Sequence, residues 1–207
     1  PLDREEADRW LRRGLHPGPI AMNCSGKHAA MLAACAAAGL PTDSYLDPDH
    51  PVQREILRTI RETTGDPVRH IGVDGCGAPL MSVTLTGLAH AFRSFVLARP
   101  GSARRRVADA MRAHPRYVAG TRRLDTWLME GVDGALAKGG AEAVQAVALA
   151  DGRALAFKID DGAGRAVGPV LARALRLMGV DAPVLNRIAQ APVYGGGVPV
   201  GEVRAVF

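Results

Sequence analysis

Ala143-Val-Gln-Ala-Val-Ala-Leu-Ala150, then Asp151-Gly152, then Arg153-Ala-Leu-Ala-Phe-Lys-Ile-Asp160, is the stretch that decides the fold class. Two apolar runs joined by Asp-Gly read as a β-hairpin, because these turn residues tolerate the positive φ that matches the twist of paired strands. Upstream, the periodicity is helical. Asp3 to about Arg13 reads as a helix, with Asp3 and Glu6 spaced as a capping box and Gly14 as its stop. Ala29 to Ala38 is a second helix, ending at Gly39. His50-Pro51 opens a third, in which Val52, Ile56 and Ile60 keep helical spacing up to Gly65. Ile71-Gly-Val73 is a short extended piece feeding Asp74-Gly-Cys-Gly-Ala-Pro79, and helices are predicted over 84–98, 102–113 (Ser102 as cap) and 123–130. Beyond the hairpin come a helix from about Arg165 to Met178, a shorter one near 184–190, Gly195-Gly-Gly197, and a last strand over roughly Glu202 to Phe207. Helices first, then an antiparallel hairpin, helix and strand, give an α+β fold. No repeat or long linker interrupts residues 1–207, which predicts a single domain.

Composition narrows the class. With 47% apolar and 23% charged residues, a disordered chain, a collagen-like chain and a coiled coil are excluded. Three scattered cysteines, Cys24, Cys35 and Cys76, make no disulfide framework. No apolar run reaches the length of a membrane span and no signal peptide opens the sequence, so a membrane partner is not expected and the cytoplasm is. The opening Pro1-Leu-Asp-Arg-Glu-Glu reads like the interior of a longer protein. The net charge of +5 suggests nucleic acid at first sight, but the arginines are spread out and aromatics are only 4%. The densest cluster, Arg104-Arg105-Arg106, falls in an amphipathic helix and reads as a solvated basic face, so no nucleic-acid partner is expected.

Of 26 basic residues only Lys27, Lys138 and Lys158 are lysine. Lysine can lose its proton and act as a base or ligand, whereas guanidinium cannot, so these three positions stand out. Lys27 lies in Asn23-Cys-Ser-Gly-Lys-His28, five polar or reactive residues around one glycine. If Ser25 caps the following helix, Cys24 sits at its positive end, where a thiolate is favoured. A capped helix with a buried thiol explains the residue types equally well. In Asp74-Gly-Cys-Gly77 the glycines let the backbone bend and bring the sulfur close to a neighbour, although a tight turn with a small buried cysteine is the simpler reading. Cys24 and Cys76 together form a weak zinc pattern, since no Cys-x-x-Cys is present. Lys158 falls on the second hairpin strand, where it serves either as an activator of a nucleophile or as a surface residue. His16, His50, His70, His90 and His114 read as caps, turns or helix surface.

Asn23-Cys-Ser-Gly-Lys-His-Ala-Ala-Met-Leu32 resembles the L-asparaginase II family, the Rhizobium etli-type asparaginases. The resemblance continues through His50-Pro-Val-Gln53, Asp74-Gly-Cys-Gly-Ala-Pro79, His114-Pro115, Asp125-Thr-Trp-Leu-Met129, Lys138-Gly-Gly-Ala-Glu142 and Lys158-Ile-Asp-Asp-Gly162. It implies a fold similar to serine β-lactamases and penicillin-binding proteins, a helical region beside an antiparallel sheet. It also implies hydrolysis of L-asparagine to aspartate and ammonia by a serine nucleophile activated by lysine, in a homodimer. Residue by residue, Lys158 matches the lysine of the serine–lysine pair, and Ser25 with Lys27 stands where penicillin-recognising enzymes carry their second motif. Cys24, Lys27 and Cys76 match an unusual zinc site, with His28 and Asp74 lining the substrate pocket. Two departures accompany the likeness. Family members carry a further segment before the point where this chain begins, holding a Ser-x-x-Lys nucleophile motif that appears nowhere in these 207 residues. Ala143 stands where the family pattern has glycine. The expectation is therefore the C-terminal two-thirds of an asparagine amidohydrolase. The alternatives are an inactive fragment that binds zinc or a small amino acid, and a cysteine amidase using Cys24 with His28. A shared zinc ion requires sulfurs roughly 4 Å apart, each about 2.3 Å from the metal.

Overall fold

Asp3 turns the chain into its first helix by accepting the Glu6 N–H at 3.1 Å, the reading its sequence position suggests. The structure, a computed structural model, describes residues 2–207 and divides into two compact units, Pro1–Val83 and Thr84–Phe207.

The first unit holds helices α1 (Arg4–Arg12), α2 (Ser25–Ala37) and α3 (Pro51–Thr64), and a hairpin of β1 (Ile71–Val73) and β2 (Pro79–Met81). Helix α2 begins four residues earlier than its alanine run suggests. Cys24, not Ser25, takes the cap position, no side chain caps it, and the first turn closes through His28 N–H to the Cys24 carbonyl at 3.1 Å. His50 caps α3, its Nδ1 accepting the Val52 N–H at 3.1 Å, and Gly65 ends it at φ +73°. Helix α2 packs on α3, and α3 on β2, around Met31, Cys35, Val52 and the buried amide of Gln53. Strands β1 and β2 pair antiparallel with Val73 opposite Pro79, so residues 74–78 form the connecting loop. Sequence reasoning missed β2 because Pro79 looks like a terminator. As the first residue of a strand it removes no ladder bond the pair depends on.

The second unit is built on the hairpin read from the sequence. Strands β4 (Val144–Ala148) and β5 (Ala154–Lys158) pair antiparallel, and β3 (Leu136–Gly139) adds to the other side of β4. Helices α4 (Leu85–Val96), α5 (Ala103–Ala113), α6 (Pro115–Ala119) and α7 (Leu124–Gly131) precede this sheet, and α8 (Val167–Leu177) and α9 (Val184–Ala189) follow it. Helix α4 lies on β4 and β5, and α7 on β3. Leu128, Leu136, Val147, Leu171, Leu175, Leu185 and Ile188 form the fully buried centre. Gly168 permits the tight crossing of α8 and α9, since a Cβ there would lie 2.2 Å from the Ile188 carbonyl oxygen. The one polar residue in the middle of β4, Gln145, is buried and donates to Asp125 at 2.8 Å, while Asp125 also accepts the Gly139 N–H at 2.8 Å. Four acceptor lone pairs and two donors leave this buried carboxylate well served.

The expected strand over Glu202 to Phe207 does not form. Instead β6 (Pro192–Gly195) pairs with β7 (Val198–Glu202) around Gly196 and Gly197, at φ +58° and +85°. Two successive positive φ values close a two-residue hairpin, so the glycine run is the turn itself and not a lead into a later strand. Several arginines are answered by acids close by in sequence: Arg105 and Arg112 by Asp109, Arg58 by Glu55 and Glu62, Arg165 by Asp161. That agrees with a solvated face for the Arg104–Arg106 cluster.

Among the described residues, Glu142 and Ala143 are the positive-φ residues other than glycine, at +52° and +59°. An L side chain there costs roughly 1–2 kcal/mol, and Ala143 occupies the position at which the resembled family has glycine. Ala143→Gly is expected to match or exceed the parent in stability by up to about 1 kcal/mol, the relief being partly offset by the freer unfolded chain. Ala143→Val is expected to lose more than about 1 kcal/mol despite its larger apolar surface, because a β-branched residue resists this φ. Urea unfolding of the three proteins reads the order directly.

Candidate functional site

Two backbone features of the first unit converge, the start of α2 and the loop between β1 and β2. Cys24 and Lys27 come from the helix, Asp74 and Cys76 from the loop. The loop fixes its own carboxylate: the Asp74 N–H donates to the Ala78 carbonyl at 2.8 Å, the Gly77 N–H to the Asp74 carbonyl at 2.8 Å, and the Gly75 N–H to Asp74 Oδ1 at 2.8 Å. Gly77, at φ +85°, makes that turn possible. The second carboxylate oxygen, Oδ2, then faces α2. It accepts from Lys27 Nζ at 2.8 Å and from the Cys76 thiol at 3.4 Å. The ligand atoms of Cys24, Asp74 and Cys76 all lie within 4.8 Å of one another. Both cysteines are free thiols, half-buried, so neither a disulfide nor a separation across the fold applies.

Charge in this cluster is interdependent. The Lys27 hydrogen bond, followed by that from Cys76, holds the Asp74 carboxyl below its usual range against a small burial effect. Burial pulls the Lys27 ammonium down, but its hydrogen bonds to Asp74 and Cys76 together outweigh this and raise its pKa. Burial and the hydrogen bond with Cys76 push the Cys24 thiol up, with Lys27 opposing them. As it stands, Lys27 is an ammonium and Cys24 a thiol. The helix start does not yield the lowered thiol pKa that a cysteine nucleophile requires.

The other residues singled out by sequence occupy different settings. Ser25 is the first residue of α2 and half-buried. His28 sits one turn beyond Cys24, with Nδ1 2.6 Å from the Tyr45 hydroxyl oxygen, a partner no spacing in the sequence announces. Gln53, within His50-Pro-Val-Gln53, is 2% exposed and donates to the Tyr45 carbonyl. A hollow of about 370 Å³ opens beside Lys27, walled by Ala30, Ala34, Val52, Ile56 and Pro79. Lys158 ends β5 in the second unit and donates to the carbonyls of Glu142 at 3.2 Å and Ile159 at 3.1 Å. Lys138 reaches the carbonyl of its neighbour Gly139.

A carboxyl held below its unfolded value contributes stability that is present above that value and is lost as pH falls through the folded one. Wild type is therefore expected to lose stability on acidification below 3.8, the unperturbed carboxyl value. Asp74→Asn is expected to lose less over the same interval. Urea unfolding of both proteins at neutral and acid pH measures the difference, and parallel pH profiles would contradict the assignment.

No helix among the described residues is long and apolar enough to cross a membrane. No curated protein matches the chain. A sequence profile of the L-asparaginase II family matches residues 1–205, a span that takes in the α2 start, the Asp74 loop and the strand bearing Lys158. Nearly every residue of the chain is accounted for by that one match, and the chain belongs to the L-asparaginase II family.

Proposed function

We propose that this chain supplies the substrate-holding centre and the proton-handling lysine of an L-asparagine amidohydrolase working by serine–lysine acyl transfer, on a scaffold like that of serine β-lactamases. The observation that carries the reading is the convergence of Cys24, Lys27, Asp74 and Cys76, four residues from two separate family motifs, at one point of the first unit.

The chemistry follows from the bond to be broken. A serine oxygen adds to the side-chain amide carbon of asparagine, its proton passes to a lysine amine, and ammonia leaves with a proton returned to it. Water then cleaves the β-aspartyl ester and restores the hydroxyl. Lys158 is the lysine of this pair. The Glu142 and Ile159 carbonyls hold two of its N–H groups, which fixes the direction of the amine and leaves its remaining position for the hydroxyl. None of the five serines here stands in Ser-x-x-Lys spacing, so the nucleophile is not assigned to these residues.

In the first unit, Lys27 offers an ammonium to a substrate carboxylate and Asp74 offers a carboxylate to its ammonium, while their mutual bond keeps both oriented. The cluster also fits zinc: two thiols, the soft ligands zinc favours, and a carboxylate oxygen, a harder one that it accepts, lie within 4.8 Å of one another. Cys24, Cys76 and Lys27 would hold the ion, Lys27 then as a neutral amine and no longer as an ammonium for the substrate carboxylate, and the ion would supply that positive charge in its place. A cysteine amidase finds no support in the raised Cys24 thiol.

Two measurements test this. In a protein that also carries the family's Ser-x-x-Lys segment, Lys158→Arg is expected to abolish ammonia release from L-asparagine with the circular dichroism spectrum unchanged, since guanidinium cannot take the proton; near-normal turnover would remove Lys158 from the mechanism. Zinc binding, followed by competition with a chromophoric chelator, is expected to weaken as pH falls, because two thiols and the Lys27 ammonium must each release a proton. Cys24→Ser and Cys76→Ser are each expected to abolish it, and a zinc affinity and pH dependence unchanged in Lys27→Met would exclude Lys27 as a ligand.

A further inference from the structure

Helix α3 opens with two buried polar side chains, and both reach back to the same loop. His50 Nε2 lies 3.1 Å from the Pro41 carbonyl oxygen, and Gln53 Nε2 donates to the Tyr45 carbonyl at 2.8 Å and to Met31 Sδ at 3.2 Å. A buried amide is costly unless bonded, and here its donor group is committed to fixing the Tyr45 backbone. The Tyr45 side chain in turn crosses to α2. Its hydroxyl oxygen stands 2.6 Å from His28 Nδ1, with the two rings edge to face at 87° and centroids 5.7 Å apart. His28 adjoins Lys27 and bonds through its own N–H to the Cys24 carbonyl.

We propose that Tyr45 is a positioning residue of this site: its hydroxyl donates to His28 Nδ1 and holds the imidazole as the tautomer with its proton on Nε2. The contact falls within the range of about 2.5–3.0 Å for O–H donors and short of the range of about 2.7–3.2 Å for N–H donors to oxygen, which favours the hydroxyl as donor. A phenol is also a better donor to an imidazole lone pair than an acceptor from its N–H. His28 Nε2 is buried and has no hydrogen-bond partner among the described residues. The lock therefore leaves a single N–H donor, enclosed and without a partner among the described residues, which an acceptor oxygen of an amino-acid ligand reaches once the side chains around it part. The order of assembly is Gln53 to the Tyr45 backbone, Tyr45 to the His28 ring, and His28 to the ligand. This last step rests on the asparaginase reading, whereas the tautomer lock does not.

The test is long-range proton–nitrogen correlation on chain labelled with ¹⁵N-histidine, with His28 assigned by its loss in His28→Gln. Wild type is expected to show a pyrrole-like Nε2 and a pyridine-like Nδ1 at His28. Tyr45→Phe keeps the ring and removes only the hydroxyl, and is expected to move both nitrogens toward averaged values. A protonated Nδ1 in wild type, or an unchanged pattern in Tyr45→Phe, would overturn the proposal. In turnover, Tyr45→Phe is expected to raise KM for L-asparagine about tenfold and keep kcat within about twofold, as for loss of uniform binding; an unchanged KM would overturn the step from His28 to ligand. Absence of turnover in a protein that also carries the family's Ser-x-x-Lys segment, with the tautomer pattern intact, would sink the asparaginase reading and leave the Tyr45 lock standing.

Discussion

The contact between Lys27 and Asp74 is the constraint on which the first unit's chemistry depends. It joins residues 47 positions apart at 2.8 Å and ties the start of α2 to the loop between β1 and β2. Its side chains are 44% and 30% exposed, so as a stabiliser it is worth no more than about 1 kcal/mol. Its larger effect is on charge. With an ammonium in place, the carboxylate stays ionised, and with the carboxylate in place, the ammonium keeps its proton. The two thiols then share a pocket that already holds one charge of each sign, and displacing the Lys27 proton or protonating Asp74 changes the balance.

Much of the fold was legible because caps and stops act locally. Asp3, Ser102 and Gly65 each mark a helix end within one or two residues of its observed place, and each does so through its own side chain or its own φ. Asp151-Gly152 likewise set the β4–β5 hairpin. Illegible elements depend on distant partners. Strand β3 carries no strand signal in the sequence, since Lys138-Gly-Gly140 has no strand propensity; its existence rests on the ladder offered by β4 and on Asp125 accepting the Gly139 N–H. Strand β4 lacks the alternation of a half-exposed strand because four of its five residues are buried.

The candidate site shows the same division. The scarcity of lysine pointed to Lys27, and glycines around Cys76 pointed to a close approach, both of which are local signals. That Asp74 lies between them depends on how residues 74–78 turn, which glycine content permits without specifying. Tyr45 was invisible, since neither its neighbours nor its spacing from His28 departs from an ordinary loop. His50-Pro-Val-Gln53 was visible only as part of a family likeness. Its physical content, a capping imidazole and a buried amide holding a loop, emerges from the packing of α3.

The pairing of arginines with acids on their own helices bears on how the protein meets small molecules. Arg58, Arg105 and Arg112 each find an acidic group within one or two turns of their own helix, so these charges act as local pairs of opposite sign. Fields of that kind decay within about 8 Å at physiological ionic strength. An amino acid with an uncharged side chain carries no net charge at neutral pH and gains nothing from long-range attraction. Its encounter with such a surface proceeds by unaided diffusion at a rate nearly indifferent to salt, and discrimination is left to the contacts made after arrival.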